Sequence, residues 1–519
     1  MKLSKSVMFG AAACLLSTSA SAQAAGDLLA LSQYNYSFST ARSAALGGAF
    51  TSFGADLSSM SINPAGLGMY MSSDFGISPS LTWNNMQSTY LGTKSDYSRT
   101  RFTLGNLGMA FNLYQGSGTL TSFTLGVGYS KLADFNTTSA AYGQGIDKSI
   151  TDVLAEYMNG VPLSSLGHPD NDPYQPFRRA DVGLWGGILA YQTGILDPMS
   201  DAQDNKQYTV ANNLATGSRT NPSMRNVNKG SIDEYSISGG FNIQNILYLG
   251  FTIGIQDILY RNDNYYAETY DNNSLPLNGM NYIRSLHLDG TGVNFKFGAV
   301  VRPIENLRIG VAVHTPTLVS INEEYIEWMS ADYKNTARGE LLDSPRSLNE
   351  YDINTPTRLL TGISYTLPGV GLITADYERV WYNRMKLRNM GTENWDFQQT
   401  INNEVSSFYQ PANNFRVGIE ATPAQNFYIR AGYANYGECI ATRDAFNNMS
   451  SINSYENYSA GLGFRFQNMY VDLAYIYTEY KYAPYTMFYY GDPDYVVNPG
   501  NVETKQSRNT ITMSVGVRF

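Results

Sequence analysis

The chain has 519 residues, a formal net charge of -9, 40 Tyr, 47 Gly and only 15% charged residues. The acidic balance argues against a nucleic-acid partner, whose phosphates call for a basic surface. The charged fraction is well below the quarter or so usual in soluble domains. No stretch beyond the first residues approaches the roughly eighteen apolar residues of a membrane-spanning helix.

In chain order, Met1-Lys2-Leu3-Ser4-Lys5 is a charged start, Val7 to Leu16 an apolar run, and Ala20-Ser21-Ala22 a small-x-small site. That order predicts a secretory signal peptide over residues 1–22, cut after Ala22. Cys14 lies inside the apolar run, which disfavours a lipoprotein site. Losing Lys2 and Lys5 takes the net charge from -9 to -11. Cys439 is then the single cysteine, so no internal disulfide and no cysteine metal site is expected. Neither a metal nor a cofactor motif stands out.

Residues 26–70 are rich in Ala, Ser and Gly and almost uncharged. They are too polar for a membrane helix. Beyond them the chain alternates with a period of two. Ile511, Met513, Val515, Val517 and Phe519 fall on one face, and Thr510, Thr512, Ser514, Gly516 and Arg518 on the other. Tyr458–Phe466, Leu307–His314 and Leu247–Ile255 repeat the pattern. The non-apolar row is Gly, Ser and isolated charges, which suits a lumen. The apolar row then faces lipid, because a closed barrel satisfies every backbone group in hydrocarbon.

Fourteen such segments lie near 74–83, 102–113, 120–135, 231–243, 246–260, 283–303, 306–322, 356–367, 370–387, 413–422, 425–437, 455–466, 469–483 and 506–519. Short and long connections alternate, as periplasmic turns and outer loops do. The expected fold is an all-β transmembrane antiparallel barrel over 73–519, with a long extracellular loop at 136–230. Within that loop Asp147–Met158 and Asp181–Tyr191 have helical apolar spacing. A separate soluble domain is the alternative reading of the loop.

A barrel of about fourteen strands is too wide for its wall side chains to fill. The segment at 23–72 can fold back from the periplasmic end as an N-terminal hatch. Gly47 and Gly48 allow a tight turn, and Asn63-Pro64 marks another.

The stretch ARSAALGGAFTSFGADLSSMSINPAGL, from Ala41 to Leu67, resembles the hatch signature of the FadL-type outer-membrane transporters for long-chain fatty acids and other hydrophobic compounds, TodX-like toluene channels among them. Its matching pieces are Ala44–Ala49, Asp56 and Asn63-Pro64-Ala65-Gly66. NLRIGVAVHTP, NFYIRAGYANY and YSAGLGFRF resemble the family further on, whereas the long 136–230 loop departs from it. The resemblance implies passive uptake. A hydrophobic ligand binds in the lumen, the hatch shifts, and the ligand leaves sideways where the third strand kinks. Gly126 and Gly128 are the candidate lateral gate, with ordinary lumen glycines as the competing reading. Expected partners are that ligand, outer-membrane lipid and lipopolysaccharide, and the barrel assembly machinery. The expected state is a monomer in the outer membrane.

Arg308, His314, Arg416, Glu420, Arg430, Arg465 and Asp472 are candidate polar lumen residues. Arg416 and the charges after it are expected to pair in the periplasmic half or against the hatch. The histidines are His168, His287 and His314. Ser285 and His287 share one strand face, a weak sign of phospholipase chemistry. Two further functions compete with uptake. One is a general porin. The second is a surface adhesion or structural barrel, for which the aromatic loop at 485–497 is the contact surface.

Overall fold

The computed structural model describes residues 25–166, 172–211, 218–271, 277–334, 340–391, 394–441, 451–492 and 495–519. The signal-peptide expectation and His168 lie outside the described residues.

Fourteen antiparallel strands close into one barrel. The first three are Asp74–Tyr90, Thr93–Gln115 and Leu120–Asp134. The fourth to sixth are Thr220–Ile243, Leu247–Tyr270 and Leu277–Ile304. The seventh is Leu307–His314 continued by Leu318–Tyr333, and the eighth is Ser347–Asn354 continued by Arg358–Leu367. Gly371–Trp381, Pro411–Ala424, Phe427–Tyr436, Ile452–Phe466, Met469–Tyr482 and Asn501–Arg518 complete the wall. The first strand pairs with the last, Asp74 opposite Arg518 and Phe75 opposite Val517. The sheet therefore closes on itself, as a bilayer demands.

The alternating rows face as expected. Leu249, Phe251, Ile253 and Ile255 are exposed on the outer surface, as are Ile309, Val311, Val313, Ile511 and Met513. Their neighbours Gly310, Ala312, Thr510, Thr512 and Ser514 are buried inside. Tight turns at one end use left-handed backbone at Gln244, Asn245, Asn426 and Gln467. The seventh and eighth strands are both interrupted at a proline, Pro316 and Pro356, which cannot donate to a ladder. The breaks cover each other. Thr355 N donates to the Thr317 carbonyl at 3.1 Å, and Thr317 N donates to the Thr355 hydroxyl at 2.8 Å.

At the long-loop end the strands run far beyond the 9–11 residues that span a bilayer. The second, fourth and sixth begin earlier than their alternation suggests, at Thr93, Thr220 and Leu277. A short strand, Thr137–Tyr142, pairs with the fourth and carries the wall on past the third. The long insertion forms helices at Ile150–Met158 and Trp185–Gln192. They share one apolar core with Tyr266, Met280, Tyr282 and Met329 of the wall and with Tyr485, Met487 and Phe488. The insertion is thus packed onto the barrel rim as a cap. Glu268 fixes it there, accepting from Ile150 N at 2.8 Å, the Ser149 hydroxyl at 2.5 Å, and the hydroxyls of Tyr266 and Tyr270.

Candidate functional site

Residues 25–70 run through the lumen. They are short helical turns joined by tight bends, and small side chains let them approach the wall. Thr40 caps the helix Ala41–Ala45, and Asp56 caps Leu57–Met60. The two caps are linked, since the Thr40 hydroxyl donates to Asp56 Oδ1 at 2.7 Å. Asn63 caps Pro64–Met69, with Pro64 at the first helical position, where its missing N–H costs nothing. Asn63 Nδ2 also donates to the Thr51 carbonyl at 2.5 Å. Gly47 and Gly48 have φ of 67° and 75°, a region that favours glycine. Ala65 is wholly buried. Gly66 packs so closely on Ser59 and Gly54 that a Cβ would lie 2.5 Å from the Ser59 hydroxyl.

The segment is bonded to the wall on many sides. Ala41 N donates to Ser514 Oγ at 2.7 Å. Thr252 Oγ1 donates to the Met60 carbonyl at 3.0 Å. His314 Nε2 lies 2.9 Å from the Ile62 carbonyl. Asn112 Nδ2 donates to the Tyr70 carbonyl at 2.8 Å. Ser459 Oγ donates to the Ala45 carbonyl at 3.0 Å.

Charge pairs add to this. Arg42 of the segment holds Glu420 through Nη2 at 3.1 Å. Arg430 bridges Glu420 and Asp472, each at 2.6 Å, and Arg465 closes on Asp472 at 3.0 Å. Four of the expected lumen charges thus form one network with Arg42. Arg416 belongs to a second group, 3.2 Å from Glu378, which Arg358 also meets at 3.3 Å. Arg308 stands apart and donates to Thr366 Oγ1 at 3.1 Å. Sequence reasoning missed Arg42, Arg358, Asp376 and Glu378, although the alternation that flagged Arg416 also runs through Glu378.

Ser285 and His287 are not joined. The Ser285 hydroxyl donates to Asp263 Oδ1 at 2.7 Å instead. Gly126 and Gly128 sit in regular pairing, opposite Ala110 and Gly108 on one side and Ser238 and Ser236 on the other. Their missing side chains make room for Met60, whose Sδ would lie 2.8 Å from a Cβ at residue 126 and whose Cε would lie 2.7 Å from one at residue 128.

The wall opens a few residues further along. The second and third strands are paired only from Asn106–Ser130 to Gln115–Ser122. Beyond that point the second strand keeps its pairing with the first. The third keeps its pairing with the fourth, after a register shift between Lys131 and Ala133. Thr137–Tyr142 also ladders with the fourth strand. It reaches the second through side chains, the Ser95 hydroxyl to the Ala140 carbonyl and Tyr97 to Tyr142 at 3.0 Å. A crevice lined by Asn84, Met86, Tyr97, Thr137 and Thr138 follows this seam.

A cavity of about 130 Å³ lies beside it and shares Thr137 with the crevice. Residues 26–35 form one side, and Phe135, Tyr260, Tyr455, Tyr480 and Tyr482 much of the rest. An apolar cluster adjoins it, with Leu28, Leu29 and Leu31 packed among Ile258, Leu288, Val319, Ile353 and Val405. Asp27 faces the cavity, and burial, aided by Glu323, raises its pKa well above the usual carboxylate range. Mostly apolar walls with a few polar groups are the makings of a small-molecule site.

No protein-family model matches the sequence, and no curated protein matches it. Solved structures do match. The toluene transporter TodX of P. putida aligns at 12% identity over 94% of this chain and 99% of that one, with a TM-score of 0.51. A Pseudomonas aeruginosa FadL homologue aligns at 12% identity over 94% and 98%, with a TM-score of 0.52. A deltaS2 mutant of the TodX monoaromatic hydrocarbon channel aligns at 11% identity over 94% and 100%, with a TM-score of 0.54. At such identities the likeness is one of fold, and the fold is the FadL-type fourteen-stranded barrel.

Proposed function

We propose that this chain is an outer-membrane channel for passive uptake of small hydrophobic molecules. In this reading residues 23–72 are a hatch, and the ligand leaves sideways through the seam between the second and third strands. The observation that carries it is the contiguity of the tyrosine-lined cavity with a wall crevice where backbone pairing stops. The names of the similar structures, a toluene transporter and a FadL homologue, support the same reading.

The physical logic is one of solvent. An apolar solute gains little from entering the aqueous periplasm, and exit into the bilayer keeps its surface out of water. The cavity size favours small rings. An engineered apolar cavity of about 150 Å³ holds benzene, close to the volume here, and a long acyl chain would need the hatch to move first. Gly126 and Gly128 then serve the gate indirectly, by seating Met60 beside the strand that borders it. A general porin needs an open water path, and the segment across the lumen argues against one.

The test is uptake of radiolabelled toluene by cells whose outer membrane carries the protein. Faster uptake than in cells lacking it supports the channel. Equal uptake, with folded protein in the membrane, contradicts it.

A further inference from the structure

Six Lys or Arg side chains are buried among the described residues: Lys131, Lys296, Arg358, Arg416, Arg430 and Arg508. Five have a carboxylate partner. Lys131 meets Asp233 at 2.7 Å, Lys296 meets Glu234, Arg358 and Arg416 share Glu378, and Arg430 holds Glu420 and Asp472. Among the described residues, none lies within ion-pair reach of Arg508, although it is only 4% exposed. A buried cation without a counter-ion is costly, which is why such groups are usually paired.

Arg508 is held rather than neutralised. Its Nε donates to Asn84 Oδ1 at 2.8 Å and its Nη2 to the Asp134 carbonyl at 3.0 Å. Its guanidinium lies 5.5 Å from the ring centre of Phe38 and 5.3 Å from that of Tyr480. Nη1 donates to no described residue, and Arg508 lines the cavity. Two carboxyl groups also line it. Asp134 is turned into its own bend, where Oδ1 accepts from Asn136 N and Nδ2 at 2.9 and 3.0 Å. Asp27 lies outside ion-pair reach of Arg508, and burial raises its pKa, which disfavours its charged form. Two of the tyrosine hydroxyls donate elsewhere, Tyr455 to the Tyr34 carbonyl at 2.6 Å and Tyr482 to Gln506 Oε1 at 2.5 Å.

We propose that Arg508 is the head-group site of this cavity and that its preferred solute is a one-ring aromatic carboxylate. The solute's anion supplies the counter-charge the wall omits, through the forked geometry guanidinium offers a carboxylate. Its ring fills a space of benzene size among aromatic side chains. Asn84 ties the site to the seam, since its Nδ2 donates to the Asn136 carbonyl at 3.1 Å. The assignment rests on the uptake reading and narrows its ligand class.

The experiment is calorimetric titration of the purified full-length protein in detergent with benzoate, benzyl alcohol, benzylamine and toluene. Benzoate is expected to bind at least about tenfold tighter than benzyl alcohol, the scale of one charge-assisted hydrogen bond, and benzylamine weakest. Arg508→Gln should weaken benzoate at least about tenfold and leave toluene within about twofold. A heat-dependent shift in gel mobility checks that the variant is folded. If it is not, the wild-type order decides alone. Benzyl alcohol binding as well as benzoate, or benzoate unaffected in folded Arg508→Gln, overturns the proposal. Arginine-dependent benzoate binding in a protein that does not speed solute entry into cells would sink the uptake reading and leave this assignment standing.

Discussion

Asp376 Oδ2 accepts two hydrogen bonds from Thr51, one from the backbone N–H at 2.8 Å and one from the hydroxyl at 2.6 Å. Thr51 belongs to the lumen segment and Asp376 to the ninth strand, 325 residues apart in sequence. The same Thr51 receives the Asn63 side chain on its carbonyl. One residue thus joins the segment to itself and to the wall.

Thr51→Val should therefore loosen the segment. It removes one donor from a buried carboxylate, a loss of about 1–3 kcal/mol. Urea unfolding in lipid vesicles should show the lower stability. In planar bilayers the variant should conduct more ions than wild type, because the lumen is less firmly filled. An unchanged midpoint together with unchanged conductance would remove Thr51 from the anchoring account.

Gly126→Val with Gly128→Val tests what those glycines are for. A Cβ at either position meets Met60 first, at 2.8 and 2.7 Å; Leu67 Cδ1 lies 3.1 Å from the one at 126, and the Leu107 carbonyl of the second strand 3.3 Å from the one at 128. The expected variant is a folded barrel with a displaced segment, raised conductance and reduced solute uptake. Adding Met60→Gly should restore conductance toward wild type. Persistent high conductance in the triple variant would mean that the valines act on the wall itself.

The strand count was legible because one face of each strand meets lipid and the other the lumen, which writes a period of two into the sequence. It failed toward the long-loop end. Thr220–Asn228 and Thr93–Arg101 are strands there, but they carry few apolar residues, so no apolar row marks them. The two helices of the insertion were readable from apolar spacing, and the structure has them at Ile150–Met158 and Trp185–Gln192. The site was less legible. Charges such as Glu420 and Asp472 mark the lumen, but their partner Arg42 lies 378 residues from Glu420, and only the folded wall brings them together. The seam left no residue pattern at all. It is an absence of pairing that begins where the first and second strands shift register at Ser78/Pro79 and the third and fourth at Lys131/Ala133.

The cap depends on Glu268. Glu268→Ala removes the buried acceptor shared by Ile150 N and three hydroxyls, a defect that favours local opening. Limited proteolysis should then cut within 136–230 faster than in wild type, with the barrel intact. Equal cleavage would show that apolar packing alone holds the cap.

Helix Trp395–Phe408 should respond to pH. Burial raises the pKa of half-buried Glu404 to about 7, above the ordinary value near 4.3. A raised carboxyl pKa means that the folded helix prefers the protonated form. Its contribution is full below the unfolded pKa and is lost as pH rises through about 7. Hydrogen exchange of 395–408, corrected for intrinsic rates, should show protection falling between pH 5 and 8. Glu404→Gln should flatten that change. A wild-type profile already flat would show that Glu404 does not couple to the helix.

Under the proposed route, solute leaves through the wall between the second strand and Thr137–Tyr142. Ser95→Cys with Ala140→Cys, bridged by a short bifunctional thiol reagent cleavable by reductant, would tie the two sides where the Ser95 hydroxyl meets the Ala140 carbonyl. Uptake of radiolabelled toluene by cells carrying this variant is the direct measurement. Uptake is expected to fall toward the level of cells lacking the protein when the bridge forms, and to recover on reduction. Uptake that continues at the unbridged rate through a fully bridged population would contradict the lateral route.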